Sequence, residues 1–337
     1  MTKEQRIQAF EKLGQWMLQL DNESTFFIQH LSHRNPWYTE ENVLKQFRAI
    51  GRSLDHDALN QWVAEYEAPK VDKTVGLVLA GNLPLVGFHD LLCVLIMGFS
   101  AQVKLSSDDA GVSTLVINKL IAIEPRFGDQ IQIVEKLANF DLVIATGSNN
   151  TARYFEYYFG KKPHIIRKNR NSIAVLHGDE SPEDLKKLGN DIFDYFGLGC
   201  RSVSKIFLPK GYPVATFFEA IESFSPIRDH YKYNNNYDYN KSIYLINGDK
   251  HFDNGFLLLK EDEKIASPLA VVFYEEYDSL KNVENYIDQH NEAIQCVVSN
   301  KSLDIPASQF RLGKSQSPGL NDYADNVDTL AFLAAHQ

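Results

Sequence analysis

Apolar residues along the chain recur with two periods, and the switches between them outline the elements. In the opening stretch Ile7, Phe10, Leu13, Met17 and Leu20 fall at helical spacing between charged residues, which predicts an amphipathic helix. Residues 1–70 read as a helical, polar-faced segment suited to capping or partner contact, closed by the break Ala68-Pro69-Lys70. From Val75 short apolar runs alternate with helical stretches: VGLVLA (75–80), a GNLP turn (81–84), a helix to Phe99, AQVKL (101–105), a helix over 112–123, DLVIAT (141–146), a helix over 149–158 and IAVL (173–176). Such alternation implies parallel strands joined by crossover helices, so residues 71–180 are expected to form one doubly wound α/β domain.

A second alternating unit follows over 181–312. Ser181-Pro182-Glu183-Asp184 combines an N-cap, a proline in the first turn and an acidic residue that closes a capping box. Leu185, Leu188, Ile192 and Phe196 then mark one face, and the helix is expected to stop at Gly197-Leu198-Gly199. VSKIFLP (203–209) reads as the next strand. Further strands are expected over 269–274 and 294–298, with a helix between them ending near His290, and residues 313–337 form a return segment. The Asn- and Tyr-rich stretch YKYNNNYDYNK (231–241) reads as a loop or insertion.

Composition adds limits. At 337 residues, 44% hydrophobic and 23% charged, the chain is a compact soluble protein with room for two cores. A formal charge of −10 disfavours nucleic acid. Three cysteines are wrong for a disulfide framework and point to a reducing compartment. The amphipathic amino terminus is unlike a signal peptide, and the longest apolar run, Leu91–Met97, is far short of a membrane span, so a cytoplasmic location is expected.

Chemistry is sparse. Cys93 and Cys296 lie in apolar runs and read as packing residues. Cys200 has glycines before it and Arg201 and Ser202 after it; local sequence supports equally a reachable nucleophile and a loop cysteine with no role. In the GNLP turn Gly81 allows close approach by a ligand and Asn82 offers an amide donor for an oxyanion, although the local sequence alone favours an ordinary turn capped by Asn. Gly147-Ser148 occupies the same place after DLVIAT, where a helix amino terminus can hold a phosphate, but no GxGxxG is present. GxSxG, GxxxxGK[ST] and HExxH are also absent, and neither His164 nor His177 stands at a metal-ligand spacing, so no metal is indicated. Lys161, Lys162, Arg167, Lys168 and Arg170 form the one basic stretch, read either as a solvated face or as a phosphate contact.

Taken in order, GNLPLVGFHDLL (81–92), VKLSSDD (103–109), ATGSNNTARYF (145–155) and FDYFGLGCRSVSKIFLP (193–209) resemble the aldehyde dehydrogenase superfamily over about residues 75–320. The likeness is strongest to its acyl-CoA reductase branch, the fatty-acid reductase type known from bacterial luminescence. The resemblance implies two doubly wound α/β domains, nucleotide-binding (71–180) and catalytic (181–312). It implies Cys200 as nucleophile, with Asn82 and the Cys200 backbone N–H holding the oxyanion. Lys104 would contact the adenosine ribose, Ser107 would replace a glutamate that binds the 2′-hydroxyl, and Gly147 with Ser148 would approach the pyrophosphate. The serine at 107 tilts the cofactor towards NADPH over NADH. EKIASP (263–268) is similar to EEIFGP and implies Glu263 at the nicotinamide ribose, with Lys264 a departure; Ala152 replaces a second glycine. The general-base glutamate has no counterpart in RNSIAVLHGD (170–179), and its absence suits thioester reduction better than aldehyde oxidation. The implied activity is NAD(P)H-dependent reduction of an acyl-CoA or acyl-carrier thioester to an aldehyde. An acyl transferase or carrier without hydride transfer, or a non-catalytic scaffold, are the alternatives. Implied partners are the small acyl thioester, an enzyme that supplies the acyl group or uses the aldehyde, and a second copy of the chain.

Overall fold

The computed structural model describes residues 1–337 apart from Ala68, Lys70 and Val71. The break at 68–70 and the expected boundary at 70/71 therefore lie outside the described residues. The chain divides into two compact units, residues 1–169 with 319–337, and residues 170–318.

In the first unit, α1 (Lys3–Leu18) starts at a capping box between Thr2 and Gln5, and α2 (Asn22–Gln29), α3 (Glu40–Ser53) and α4 (His56–Trp62) start at Asp21, Thr39 and Asp55. Each cap accepts a hydrogen bond from a first-turn N–H that has no partner within the helix. Then follow β1 (Thr74–Val78), α5 (Phe88–Met97), β2 (Ser100–Lys104), α6 (Val112–Ile123), β3 (Ile131–Ile133), β4 (Leu142–Thr146), α7 (Asn149–Phe159) and β5 (His164–Arg167). The strands form a parallel sheet in the order β3-β2-β1-β4-β5. One core joins Val75 and Leu77 of β1 to α5, α6 and the apolar stripe Ile7, Phe10 and Leu13 of α1. A smaller cluster of Leu137, Phe140, Val143 and Ala145 packs with Phe155 and Phe159 of α7.

The second unit holds β6 (Asn171–Val175), α8 (Pro182–Phe193), β7 (Val203–Pro209), α9 (Val214–Ala220), α10 (Tyr231–Asn247), β8 (His251–Asp253), β9 (Leu258–Glu261), β10 (Val271–Tyr277), α11 (Leu280–Gln289), β11 (Ile294–Val298) and β12 (Gln309–Phe310). Its sheet runs β12-β11-β6-β7-β10-β9-β8 and is parallel except where β8 meets β9. The chain then returns to the first unit, where α12 (Thr329–Ala334) buries Leu330 and Leu333 in the first core. Thr329 also meets Arg167, which is buried in a two-point ion pair with Asp90 of α5.

Three sequence expectations change. The strand over 173–176, expected with the first sheet, belongs to the second, since β6 pairs with β7 and β11. The helix from Ser181 keeps its capping box but ends at Phe193, short of the glycines, because Tyr195 and Phe196 (φ 54° and 59°) take left-handed conformations that bury both rings. Residues 231–241 are helical. Tyr233, Tyr237, Asn240 and Tyr244 of α10 are buried at helical spacing, so tyrosine carries the apolar period that low complexity obscured. No helix among the described residues is long and apolar enough to cross a membrane.

Candidate functional site

In the first unit the strand order reverses between β1 and β4, the place where open α/β sheets present their carboxyl ends to ligands. Asn82 follows β1, Lys104 ends β2, Ser107 follows it, and Gly147 and Ser148 follow β4. The fold thus gathers these five residues along one sheet edge. Asn82 and Ser148 are exposed and Lys104 is half-buried.

The turn that carries Asn82 is held by a residue the sequence did not single out. Tyr38, fully buried, donates towards the carbonyls of Gly81 and Leu83, each at 2.9 Å. Burial, reinforced by Asp109 and Asp108, raises the Tyr38 pKa and keeps the phenol neutral. The close approach expected of a ligand at Gly81 is made by the chain itself: a Cβ there would stand 2.7 Å from the Asp109 nitrogen and 2.9 Å from Ser106 Cβ. Ser148 caps α7, its Oγ accepting from Thr151 N at 3.2 Å. A Cβ at Gly147 would meet the Phe155 ring at 2.9 Å, so the glycine admits the helix against its own strand.

The basic stretch disperses. Arg167 is the buried partner of Asp90, Lys168 pairs with Glu156 at 2.8 Å, Lys162 bonds the Phe140 carbonyl, and Arg170 reaches the Asn291 and Ile294 carbonyls. Only Arg167 is buried; Lys161, Lys162 and Lys168 stay exposed, so the stretch is in part a solvated face.

In the second unit Cys200 lies half-buried in the turn between α8 and β7. The turn is closed by Ser202 N to the Gly199 carbonyl at 3.0 Å, and Gly199 N donates to Ser202 Oγ at 3.3 Å. Ser172 of β6 donates its hydroxyl to the Cys200 carbonyl at 3.0 Å and touches Cys296 Sγ at 3.1 Å. The Arg201 guanidinium lies over the Phe310 ring at 5.4 Å. Cys93 and Cys296 are fully buried, and burial pushes the Cys296 thiol up to about 11. Gly199, Ser202, Ser204 and Ser267 line a cavity of about 60 Å³ behind the turn. Its size admits a few waters.

Asp191 of α8, fully buried, accepts from Ser315 N and Ser315 Oγ and from Gly313 N, which ties α8 to the segment after β12. Burial raises its pKa from 3.8 to about 6. Just after the stretch matched to the missing base, Glu180 accepts from His177 N at 2.7 Å and Gly178 N at 3.0 Å, so its carboxylate closes its own turn. His177 meets Ser299 Oγ at 2.9 Å, and no cluster of metal-ligating side chains occurs among the described residues. Glu263 is exposed in the segment 262–270 that joins β9 to β10, on the same unit as Cys200. Sequence reasoning missed Ser172, Asp191 and Lys205 as well as Tyr38; only Lys205, a cation in the middle of an apolar strand, left a signal.

No family model matches the chain, and no curated protein matches its sequence. Solved structures do. The chain is similar to aldehyde dehydrogenase 21 from Physcomitrella patens, solved with the reaction product succinate, at TM-score 0.68 and 14% identity, over 100% of this chain and 84% of that one. It is similar to an NAD-dependent aldehyde dehydrogenase from Sinorhizobium meliloti at TM-score 0.66 and 11% identity, over 89% and 71%. An aldehyde dehydrogenase from Mycobacterium tuberculosis in complex with NAD+ gives 0.60 and 12%, over 88% and 73%. At such identities the likeness is one of fold: the chain has the aldehyde-dehydrogenase-like α/β architecture.

Proposed function

We propose that this chain is a nicotinamide-nucleotide-dependent oxidoreductase that reduces an acyl thioester, carried by coenzyme A or an acyl carrier, to an aldehyde through a thioacyl link on Cys200. The observation that carries the reading is the Cys200 turn: a half-buried thiol at the start of an interior strand of an aldehyde-dehydrogenase-like unit, with Glu180 tied to backbone amides and no carboxylate base in β6. The Cys200 thiolate attacks the thioester carbonyl, a carbon–sulfur bond forms, and the tetrahedral oxyanion collapses with expulsion of the coenzyme A thiolate. Asn82 and the Cys200 backbone N–H are the oxyanion donors of this reading. Without a base to activate water, the thioacyl link resists hydrolysis and waits for reduction. Release of the aldehyde returns the Cys200 thiolate.

The carboxyl edge of the first sheet fits a dinucleotide, since the residues after β1, β2 and β4 converge on the switch point. Gly147 and the first-turn amides of α7 would hold the pyrophosphate, Lys104 and Ser107 the adenosine ribose, and Glu263 the nicotinamide ribose. A bound nicotinamide nucleotide supplies the hydride; Ser107 in place of a carboxylate leaves room for a 2′-phosphate and favours NADPH. The site works on a small-molecule substrate, and a cytoplasmic setting that keeps Cys200 reduced suits it.

Intact-protein mass spectrometry with a panel of acyl-CoAs, with and without NADPH or NADH, tests the reading. The expected result is an acyl adduct on wild-type protein, lost in Cys200→Ala, and cleared to aldehyde only when a nucleotide is added. Aldehyde production by Cys200→Ala refutes it. Two observations favour a second reading, an acyl transferase or carrier: Ser148 Oγ is spent on capping α7, and Ala152 stands buried where the resemblance implies a glycine. A fluorescence titration showing no binding of NADPH or NADH by acylated protein favours that alternative.

A further inference from the structure

β9 and β10 are parallel neighbours, so the chain between them must cross back along the sheet before re-entering it. It does so over 262–270 without forming a helix, and a segment of that kind has no internal partners for its carbonyls. Here four successive carbonyls are met by side chains. Lys205 of β7, fully buried, lies 3.0 Å from the Asp262 carbonyl, 2.8 Å from that of Glu263 and 3.4 Å from that of Lys264. Ser204 donates its hydroxyl to the Ile265 carbonyl at 2.7 Å. The Tyr286 hydroxyl of α11 gives Glu263 a second donor at 3.0 Å. The Lys205 charge is answered by the Glu275 carboxylate of β10 and by the faces of Phe207 and Tyr286, 5.2 and 5.0 Å from Nζ. An ammonium has three donors, and the acceptors around it use them all, so its place is fixed from several sides.

We propose that Lys205, with Ser204 and Tyr286, is a positioning group for the cofactor contact: it locks the backbone of 262–265 so that the exposed Glu263 carboxylate is presented in one place. This rests on the reading of Glu263 as the contact to the nicotinamide ribose. The chemistry supports a positional role over a merely stabilising one. A buried cation is a costly way to hold a surface segment unless its geometry matters, because packed apolar residues fill the same space at less cost. The clamp residues Ser204 and Lys205 also lie at the start of β7, directly after the turn that carries Cys200, so one stretch of chain carries the nucleophile and the group that orients Glu263.

The test uses the full chain with Tyr286→Phe, which removes one hydroxyl and keeps the ring over Lys205, and with Lys205→Met. Three measurements are made: hydrogen exchange of the peptide spanning 262–268 without nucleotide, affinity for NADPH and NADH by fluorescence, and coenzyme A release on acylation of Cys200 without nucleotide. The expected result is exchange over 262–268 faster by fivefold or more, nucleotide Kd raised fivefold or more, and acylation within twofold of wild type. If Lys205→Met does not fold, Tyr286→Phe carries the test alone, with the same directions at about twofold. Unchanged exchange and unchanged nucleotide affinity in a folded Tyr286→Phe protein overturn the proposal. Equal losses in acylation and nucleotide binding show a general structural role and overturn it too. Wild-type protein that binds neither nucleotide overturns the reading of Glu263 and the positioning role with it; failure of the clamp itself is told apart because exchange over 262–268 is read with no nucleotide present.

Discussion

Two irregular segments follow strands in this molecule and carry candidate site residues, and they are held by opposite means. The turn after β1, with Asn82, hangs from one neutral phenol, Tyr38, through the carbonyls of Gly81 and Leu83. The segment after β9, with Glu263, is held chiefly by the charged amine of Lys205. A neutral donor loses little on burial, so its loss is graded; a buried charge is costly alone and valuable only when every partner is present, so its loss approaches all or none. The first segment also rests on close backbone contact at Gly81.

The contrast is broken if Lys205→Met is as mild as Tyr38→Phe. Lys205→Met is expected to have the largest effect, lowering unfolding free energy by about 3–5 kcal/mol because the Asp262 and Lys264 carbonyls and the Glu275 carboxylate lose a charged partner and the Glu263 carbonyl keeps only Tyr286. Urea denaturation at neutral pH measures it, and Lys205→Met with Glu275→Gln should recover part of the loss. Asp191 extends the comparison to a buried anion. Its pKa is raised from 3.8 to about 6, so the folded state takes up the proton first; its stabilising contribution is full below the unfolded value and is lost as pH rises through about 6. The expected swing is on the order of 3 kcal/mol, read as the wild-type curve minus that of Asp191→Asn between pH 4 and 7. Gly81→Ala should cost about 2 kcal/mol, since the new methyl meets backbone rather than a side chain that can turn away. Tyr38→Phe should cost about 1 kcal/mol, read by the same urea denaturation.

Much of the architecture was legible because its signals are local. Ser181 and Asp184 announce a helix start on their own, and the runs at 75–80, 141–146 and 203–209 are too short and apolar for anything but buried strands. What escaped depends on partners far along the chain. IAVL is as apolar as any strand of the first sheet, and nothing in it says that its neighbours will be β7 and β11. The helix over 231–247 was hidden because its buried positions are tyrosines, whose hydroxyls find partners such as the Phe256 carbonyl and Asp253. The candidate residues of each unit divide the same way. Cys200, Asn82 and Gly147 stand in turns that sequence can locate, whereas Tyr38 and Lys205 matter through backbone carbonyls more than 40 residues away.

The second unit is an insertion in the first. The residues that complete the first core, among them Leu320, Tyr323, Leu330 and Leu333, are synthesised after all of 170–318 has emerged. On the ribosome, then, the unit that begins later in the chain is the one able to finish folding first. The earlier unit must keep part of its apolar surface open until α12 arrives, which makes the interval between those two events the period in which a nascent chain is most exposed to aggregation and to chaperones.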